Sequence, residues 1–423
     1  LGPEARGAFA AVLLWGGFLF AALGLPGVQG VVFAWSRADN PESKSRVLGA
    51  SIALAGGFSF LAIPVAVIIN RSSLHRIEAF DGISAATVYL AAMPLTLYAG
   101  ILGAALLAEG KTGDFWGIRV LNSITYLGLL LILWAFGTPT VFGATIAAAC
   151  GITCSAAWAS TRFIAQLGIR PRWDRKHVSA LARYSGMTNL AGLPAQLNMR
   201  MDQGLMAILL PTAVLGQYAV AYSWSTIVTL LGGGFSSILL ARSSVPNRDT
   251  VHPLSETLSR YRRVALAVTA IGLLAMTMAP FGISLLFGPA YSSALWPAVV
   301  LCIANIFLTL SQCLHEIIRG LGHPKLGVPA EFAGLAVNGL SLVLLLAPLG
   351  AIGAAIASLL GYITTLAVLA FQLDRRYPGH VNRQFIPSRN DIDQTKREIF
   401  ALLSRLPAIN KSETSKGEDS CSH

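Results

Sequence analysis

Eleven apolar runs follow one another along this chain, and each approaches or exceeds the ~20 residues a helix needs to cross a hydrocarbon core. They lie near 8–35, 46–69, 83–107, 116–136, 140–160, 179–199, 213–240, 264–287, 293–318, 326–346 and 350–372. Backbone polar groups in lipid must find their partners inside a helix or a closed barrel. Runs of this length therefore predict an all-α polytopic membrane protein. Composition agrees, since charged residues make up 12% of the chain, about half of the roughly 25% usual for soluble domains. No loop is long enough to hold a soluble domain.

The net charge of +11 invites an acidic partner, but its distribution reads as topology. With alternate loops assigned to two sides, 25 of the 31 Lys and Arg fall on the side of 36–46, 161–178 and the tail after 373. Such a split marks that side as cytoplasmic and leaves no reason to expect nucleic acid. It predicts a multi-pass protein of the cell's inner (plasma) membrane with a cytoplasmic linker and tail.

The chain also repeats itself. At a shift of 209, Leu210, Gly216, Tyr218 and Ala219 fall opposite Leu1, Gly7, Phe9 and Ala10; at 210, residues 353–357 (GAAIA) fall opposite 143–147 (GATIA). Two matches at nearly one offset predict two halves of six spans, 1–168 and 179–374, with a basic linker at 169–178 and a tail at 375–423. Six is an even number, so the halves share one orientation and are related by an axis along the membrane normal. By the same repeat a first helix is missing upstream of the N-terminal half, leaving about 11 of twelve spans.

Polar residues inside the spans are confined to narrow faces. In 179–199, Ser185, Asn189, Gln196 and Arg200 share about 60° of the helix wheel, with Asp202 just beyond in what reads as an outer turn. Arg119, Asn122 and Tyr126 form a second stripe, with Glu109 either a partner for Arg119 or a plain helix-end charge. Asn305, Thr309, Gln312 and Glu316 form a third, and Glu331 and Asn338 a fourth. Lipid-facing helices have no use for such stripes, so they are expected to line a shared protein or water-filled cavity. Leu25-Pro26-Gly27 should break the first run. Residues 391–406 could form an amphipathic surface helix.

The sequence lacks a Walker phosphate loop, an HExxH, a GxSxG and a dinucleotide fingerprint. Its five cysteines have no metal-ligand spacing, and Cys150 and Cys154 read as small packing residues. Neither an enzyme nor a metal or cofactor is expected; coupling to an H+ or Na+ gradient stays open.

In order and spacing, several short motifs resemble the polysaccharide and O-antigen flippases of the MOP exporter superfamily. They are Gly2, Pro3, Glu4, Arg6 and Gly7 at the start; Asn198, Arg200 and Asp202; 215–221 (LGQYAVA); 287–291 (FGPAY); and Arg319-Gly320 with 350–355 (GAIGAA). The resemblance implies a MOP-type bundle of two six-helix halves. It also implies outward transport of an undecaprenyl-diphosphate-linked oligosaccharide, with the lipid bilayer, and polysaccharide polymerase and assembly proteins, as partners. Arginine suits a diphosphate because its fork pairs with phosphate oxygens. A cation-coupled multidrug exporter of the same superfamily is the alternative. A membrane-embedded polymerase or ligase would need a longer outer loop than 70–82, and a purely structural protein would not need the stripes.

The orientation is open to direct measurement. Reporter fusions active only outside the cytoplasm are expected to be silent at residue 111 and active at residue 137.

Overall fold

The structure, a computed structural model, describes residues 2–23, 28–74, 82–137, 140–243, 253–321 and 323–377, and among them every regular element is helical. The first part of the chain forms α1 (Pro3–Leu23), α2 (Val28–Ser36), α3 (Pro41–Leu74), α4 (Gly82–Ala108), α5 (Thr112–Ala135) and α6 (Val141–Gln166). There follow α7 (Arg175–Asn198), α8 (Met201–Leu209), α9 (Thr212–Ser243), α10 (Pro253–Phe287), α11 (Leu295–Gly320) and α12 (Gly327–Arg376). The proline and glycine expected to break the first run lie outside the described residues, as does 391–406; α1 ends at Leu23 and α2 begins at Val28.

Local chemistry sets several boundaries. The Thr140 side chain accepts from the Gly143 amide at the start of α6, and Asp174 does the same for Lys176 at the start of α7. Both occupy orphan N–H groups of a first turn. α12 is 50 residues long, or about 75 Å at 1.5 Å per residue, far more than one crossing requires. Gly350 divides it, at φ 55° and ψ −128°, a backbone state that costs a residue with a side chain dearly. Among the described residues six helical stretches, this one included, are long and apolar enough to cross a membrane. α7 falls below that standard because its polar stripe dilutes it.

Element boundaries recur at the offset read from the sequence. Pro3 opens α1 and Thr212 opens α9, 209 residues apart; Val141 opens α6 and Ala351 follows the Gly350 break, 210 apart. Packing recurs with them. α1 lies on α3 and α4 as α9 lies on α10 and α11, and α4 lies on α6 as α11 lies on α12. Between the two groups, contact runs from α1 to α7, α8 and α9, and from α2 and α3 to α7.

One core, around Val31, Trp35, Leu48, Leu102 and Phe163, joins α2 to α6. Another gathers Met206, Leu215, Tyr218, Ile283 and Leu342 from α8 to α12 and takes in Ala11 and Val12 of α1. On α5 the exposed Trp116, Val120, Ile124, Leu127 and Leu131 recur at helical spacing, a face suited to lipid.

The seventh span differs from its sequence reading. The apolar run at 179–199 and the turn expected after it form one broken stretch, α7 and α8, with the next turn at Leu210-Pro211. α8 adds nine residues, about 13 Å. Arg200 therefore sits at a break within this helical stretch instead of at its end.

The break in α12 supplies a test. A Cβ on Gly353 would lie 2.1 Å from the Leu345 carbonyl oxygen across the kink. Gly353→Ala is expected to cost about 1–3 kcal/mol, read as a lower melting temperature of the detergent-solubilised protein.

Candidate functional site

At the α7–α8 junction Met199 closes one helix and Arg200 caps the next, at φ −129° and ψ −13°. The break turns the exposed Arg200 away from the α7 stripe and sets its guanidinium 5.9 Å from the Tyr222 ring centroid. Its charge also reaches the phenols of Tyr89 on α4 and Tyr362 on α12. Tyr89 belongs to the first group of helices, and both Tyr222 and Tyr362 to the second.

Two residues on, Asp202 is 1% exposed. Tyr218 donates its hydroxyl to the carboxylate, Ser358 donates at 3.1 Å and the Gln203 amide at 2.7 Å. A buried carboxylate is tolerable only with its lone pairs occupied in this way. Beside it the Asn338 amide donates to the Asn198 backbone carbonyl at 3.1 Å and to its side-chain oxygen at 2.8 Å, tying α12 to the end of α7. Glycine allows this approach, because a Cβ on Gly361 would lie 2.7 Å from the Asn338 Cβ and 3.2 Å from the Asn198 Oδ1. Asn338 Oδ1 and Gln203 Nε2 remain buried without a protein partner.

A second arginine converges from α1. Arg6 Nε is buried and has no partner. Its guanidinium lies 5.9 Å from the Phe9 ring, and its charge reaches Tyr126 on α5 and Tyr291 in the turn before α11. Sequence reasoning placed Arg6 only in a motif. The available signal was its position beside Gly7, which falls opposite Gly216 in the repeat.

The other sequence-predicted residues are dispersed. Arg119 is exposed, with its guanidinium 4.6 Å from the Phe115 ring and 5.4 Å from Trp116, as expected of a side chain resting on aromatic rings of its own helix. Glu109 is not its partner: it accepts from Lys44 at 2.5 Å and from Trp35 at 2.7 Å. Asn122 and Tyr126 turn toward α6, where a Cβ on Gly151 would lie 2.6 Å from Asn122 Oδ1. Tyr126 also stacks with Phe9. Gln196 is exposed, and Asn189 is on a part of α7 whose side chains lie outside the described set. Gln312 is half-buried on α11. Near the ends of α11 and α12, Glu316 pairs with Arg319 at 2.9 Å, and Glu331 faces His315 at 3.7 Å. Gly2 and Glu4 are exposed, Pro3 is half-buried and Gly7 is buried.

The basic linker is docked rather than loose. The Arg172 amide donates to the Ser45 carbonyl at 3.0 Å, and the Ser45 hydroxyl donates to the Arg170 carbonyl. Arg172 meets Glu42 at 3.0 Å, and Arg46 meets Asp174 at 3.7 Å. The Lys176 amide and then His177 hold the Asp174 carboxyl below its ordinary range, and the Lys44 ammonium followed by the Trp35 indole does the same for Glu109.

Residues 117–295 match the model of a family described as "Polysaccharide biosynthesis protein". A stretch of 97 residues is 31% identical to an uncharacterized membrane protein of Methanocaldococcus jannaschii, covering 23% of this chain and 19% of that protein. Over 319 residues the chain is 21% identical to the probable low-salt glycan biosynthesis flippase Agl15 of Haloferax volcanii, covering 74% of this chain and 66% of the relative. The chain thus spans a fifth and about two thirds of the lengths of these relatives. Among solved structures, an inward-facing multidrug resistance MATE family transporter superposes with a TM-score of 0.69 at 16% identity, covering 89% of this chain and 91% of that one. The lipid II flippase MurJ in an inward closed conformation does so at 0.65 and 15% identity, covering 97% and 92%.

The fold is therefore an all-α polytopic membrane bundle like those of these two solved structures, the first of them described as a member of the MOP superfamily. Within it, the family model and the Agl15 relative bear out the resemblance to the polysaccharide flippases. The relatives described by an activity are flippases or transporters.

The Asp202 cluster can be probed by stability alone. Tyr218→Phe removes a donor to the buried carboxylate and is expected to cost about 1–3 kcal/mol, seen as a lower melting temperature with no change in span topology.

Proposed function

We propose that this chain is a flippase that carries an undecaprenyl-diphosphate-linked oligosaccharide from the cytoplasmic to the outer leaflet of the inner membrane, for surface polysaccharide assembly. The halves 1–168 and 179–374 would rock about the linker 169–178, with the tail from 375 in the cytoplasm. The observation that carries the reading is Arg200, an exposed cation at a helix break, about 13 Å along α8 from the turn at Leu210-Pro211. A charge at the centre of a spanning helix costs ~2.5–3.5 kcal/mol on insertion scales, and broken helices in transporters sit where the substrate passes.

Asp202 gives its oxygens to Tyr218 and Ser358, which leaves the guanidinium to an anionic cargo. Arg6 takes an outer station on this route, and Arg119, resting on its own helix's aromatic rings, takes none. The phenols around both arginines suit sugar hydroxyls. An exporter of organic cations would place a carboxylate where Arg200 stands.

Substitution of Arg200 in a full-length gene tests this. Arg200→Ala is expected to lower translocation of the lipid-linked oligosaccharide at least tenfold at unchanged protein level. Arg200→Lys should lose most of it as well, because an ammonium lacks the bidentate fork. Normal export by Arg200→Ala would overturn the reading.

A further inference from the structure

The two groups of helices meet most closely where neither has a side chain. A Cβ on Gly7 would lie 1.8 Å from the Thr212 carbonyl oxygen, 2.7 Å from its carbon and 3.0 Å from the Gly216 nitrogen. A Cβ on Gly216 would lie 1.8 Å from the Pro3 carbonyl oxygen, and 2.8 Å from both the Pro3 carbon and the Gly7 nitrogen. Pro3 and Thr212 are 209 residues apart, as are Gly7 and Gly216. Each glycine thus rests on the carbonyl four residues earlier in the opposite helix, and the contact is its own image under the repeat.

We propose that Gly7 and Gly216 form a reciprocal glycine latch that closes the outer end of the transport route, and that α1 and α9 must part there for cargo to leave. The proposal rests on the transport reading and on the orientation that puts Pro3 and Thr212 outside. Backbone-on-backbone contact of this kind is held by weak Cα–H···O interactions and dispersion. At the glycines it interlocks no side chains, so parting the helices there breaks no strong bond. Such a contact can close tightly and still open in every cycle.

What lies around the latch fits that role. One residue before Gly7, Arg6 carries its unpartnered, buried Nε. One turn further in, Ala11 and Val12 pack with Met206, Leu215 and Tyr218 to seal the interface below. Arg200 lies deeper still, beside Tyr222. An anionic head group held at Arg200 would meet this seal, then Arg6 and the glycines, before reaching the outer face. Either half alone has no use for a glycine at these positions, since each Cβ would clash only with the opposite helix.

The test uses full-length protein in cells, with native cysteines replaced and one cysteine introduced by Ala11→Cys. Gly7→Ala and Gly216→Ala should hold the helices apart. Labelling of that cysteine by a membrane-impermeant thiol reagent added outside is expected to rise at least fivefold, and export to fall at least tenfold. Gly17→Ala is the control, because a Cβ there meets nothing within 4 Å; it should leave both readouts unchanged. Should the alanine variants fail to insert, a Pro3→Cys/Thr212→Cys pair joined by a short bifunctional reagent gives the converse measurement. Export should stop on linkage and return when the linker is cleaved.

Unchanged labelling and export in both alanine variants, or continued export with residues 3 and 212 linked, would overturn the latch. Labelling that rises while lipid-linked oligosaccharide translocation stays undetectable in every form, the unsubstituted protein included, leaves the latch standing and removes the flippase reading.

Discussion

The approach of α1 to α9 is the constraint on which the remaining geometry depends. Two backbones in contact fix the separation of the helix groups at one end, and every neighbouring contact is then set by that separation. Ala11 and Val12 can join the core of the second group only because Gly7 lets α1 come so near. In lipid there is little hydrophobic force to press helices together, so close packing of small residues has to supply the association. A side chain of any size at either glycine would remove the contact that holds the rest in place.

The broken helix α7–α8 supplies the second organising element. Its first part packs on α2 and α3, and its end is tied to α12 through Asn198 and Asn338. One continuous stretch of chain therefore touches both groups of helices. The break frees backbone groups, and the polar residues around it satisfy them or one another. Asp202 is the clearest case, buried and held by a phenol, a hydroxyl and an amide. The docked linker fixes the other end of α7 through Ser45, Glu42 and Arg46. Arg200, the residue left exposed at the junction, stands between two anchored ends.

Much of the architecture was legible in the residues. Apolar run length, the repeat offset and the positions of α4, α5, α6, α11 and α12 follow from local periodicity, and the structure places helices there. The stripes were legible as stripes, but their destinations were not. Arg119, Asn122 and Tyr126 share a helix face, yet Arg119 rests on its own aromatic neighbours while Asn122 turns to α6. A stripe spanning a third of a helix borders two environments, and a few tens of degrees of rotation decide which residue meets which. A turn does fall at Arg200, but the stretch continues as α8 rather than ending there, for a related reason. Arg200 and Asp202 made the segment look like a loop, when their partners on α9 and α12 allow them inside the span.

The sequence by itself determined the class of protein, the recurrence of one helical unit and the small set of polar residues available for chemistry. These depend on residue type and spacing along one helix, which the solvent selects directly: lipid demands long apolar helices, and glycine or proline marks where they bend. Only the tertiary structure decided that Arg200 meets Tyr222 and that Asp202 is bound by Tyr218 and Ser358, 16 and 156 residues away. It alone set Gly7 against Thr212. Those outcomes depend on the rotation and distance between helices far apart in the chain, quantities fixed by the packing of all of them at once and carried by no single segment.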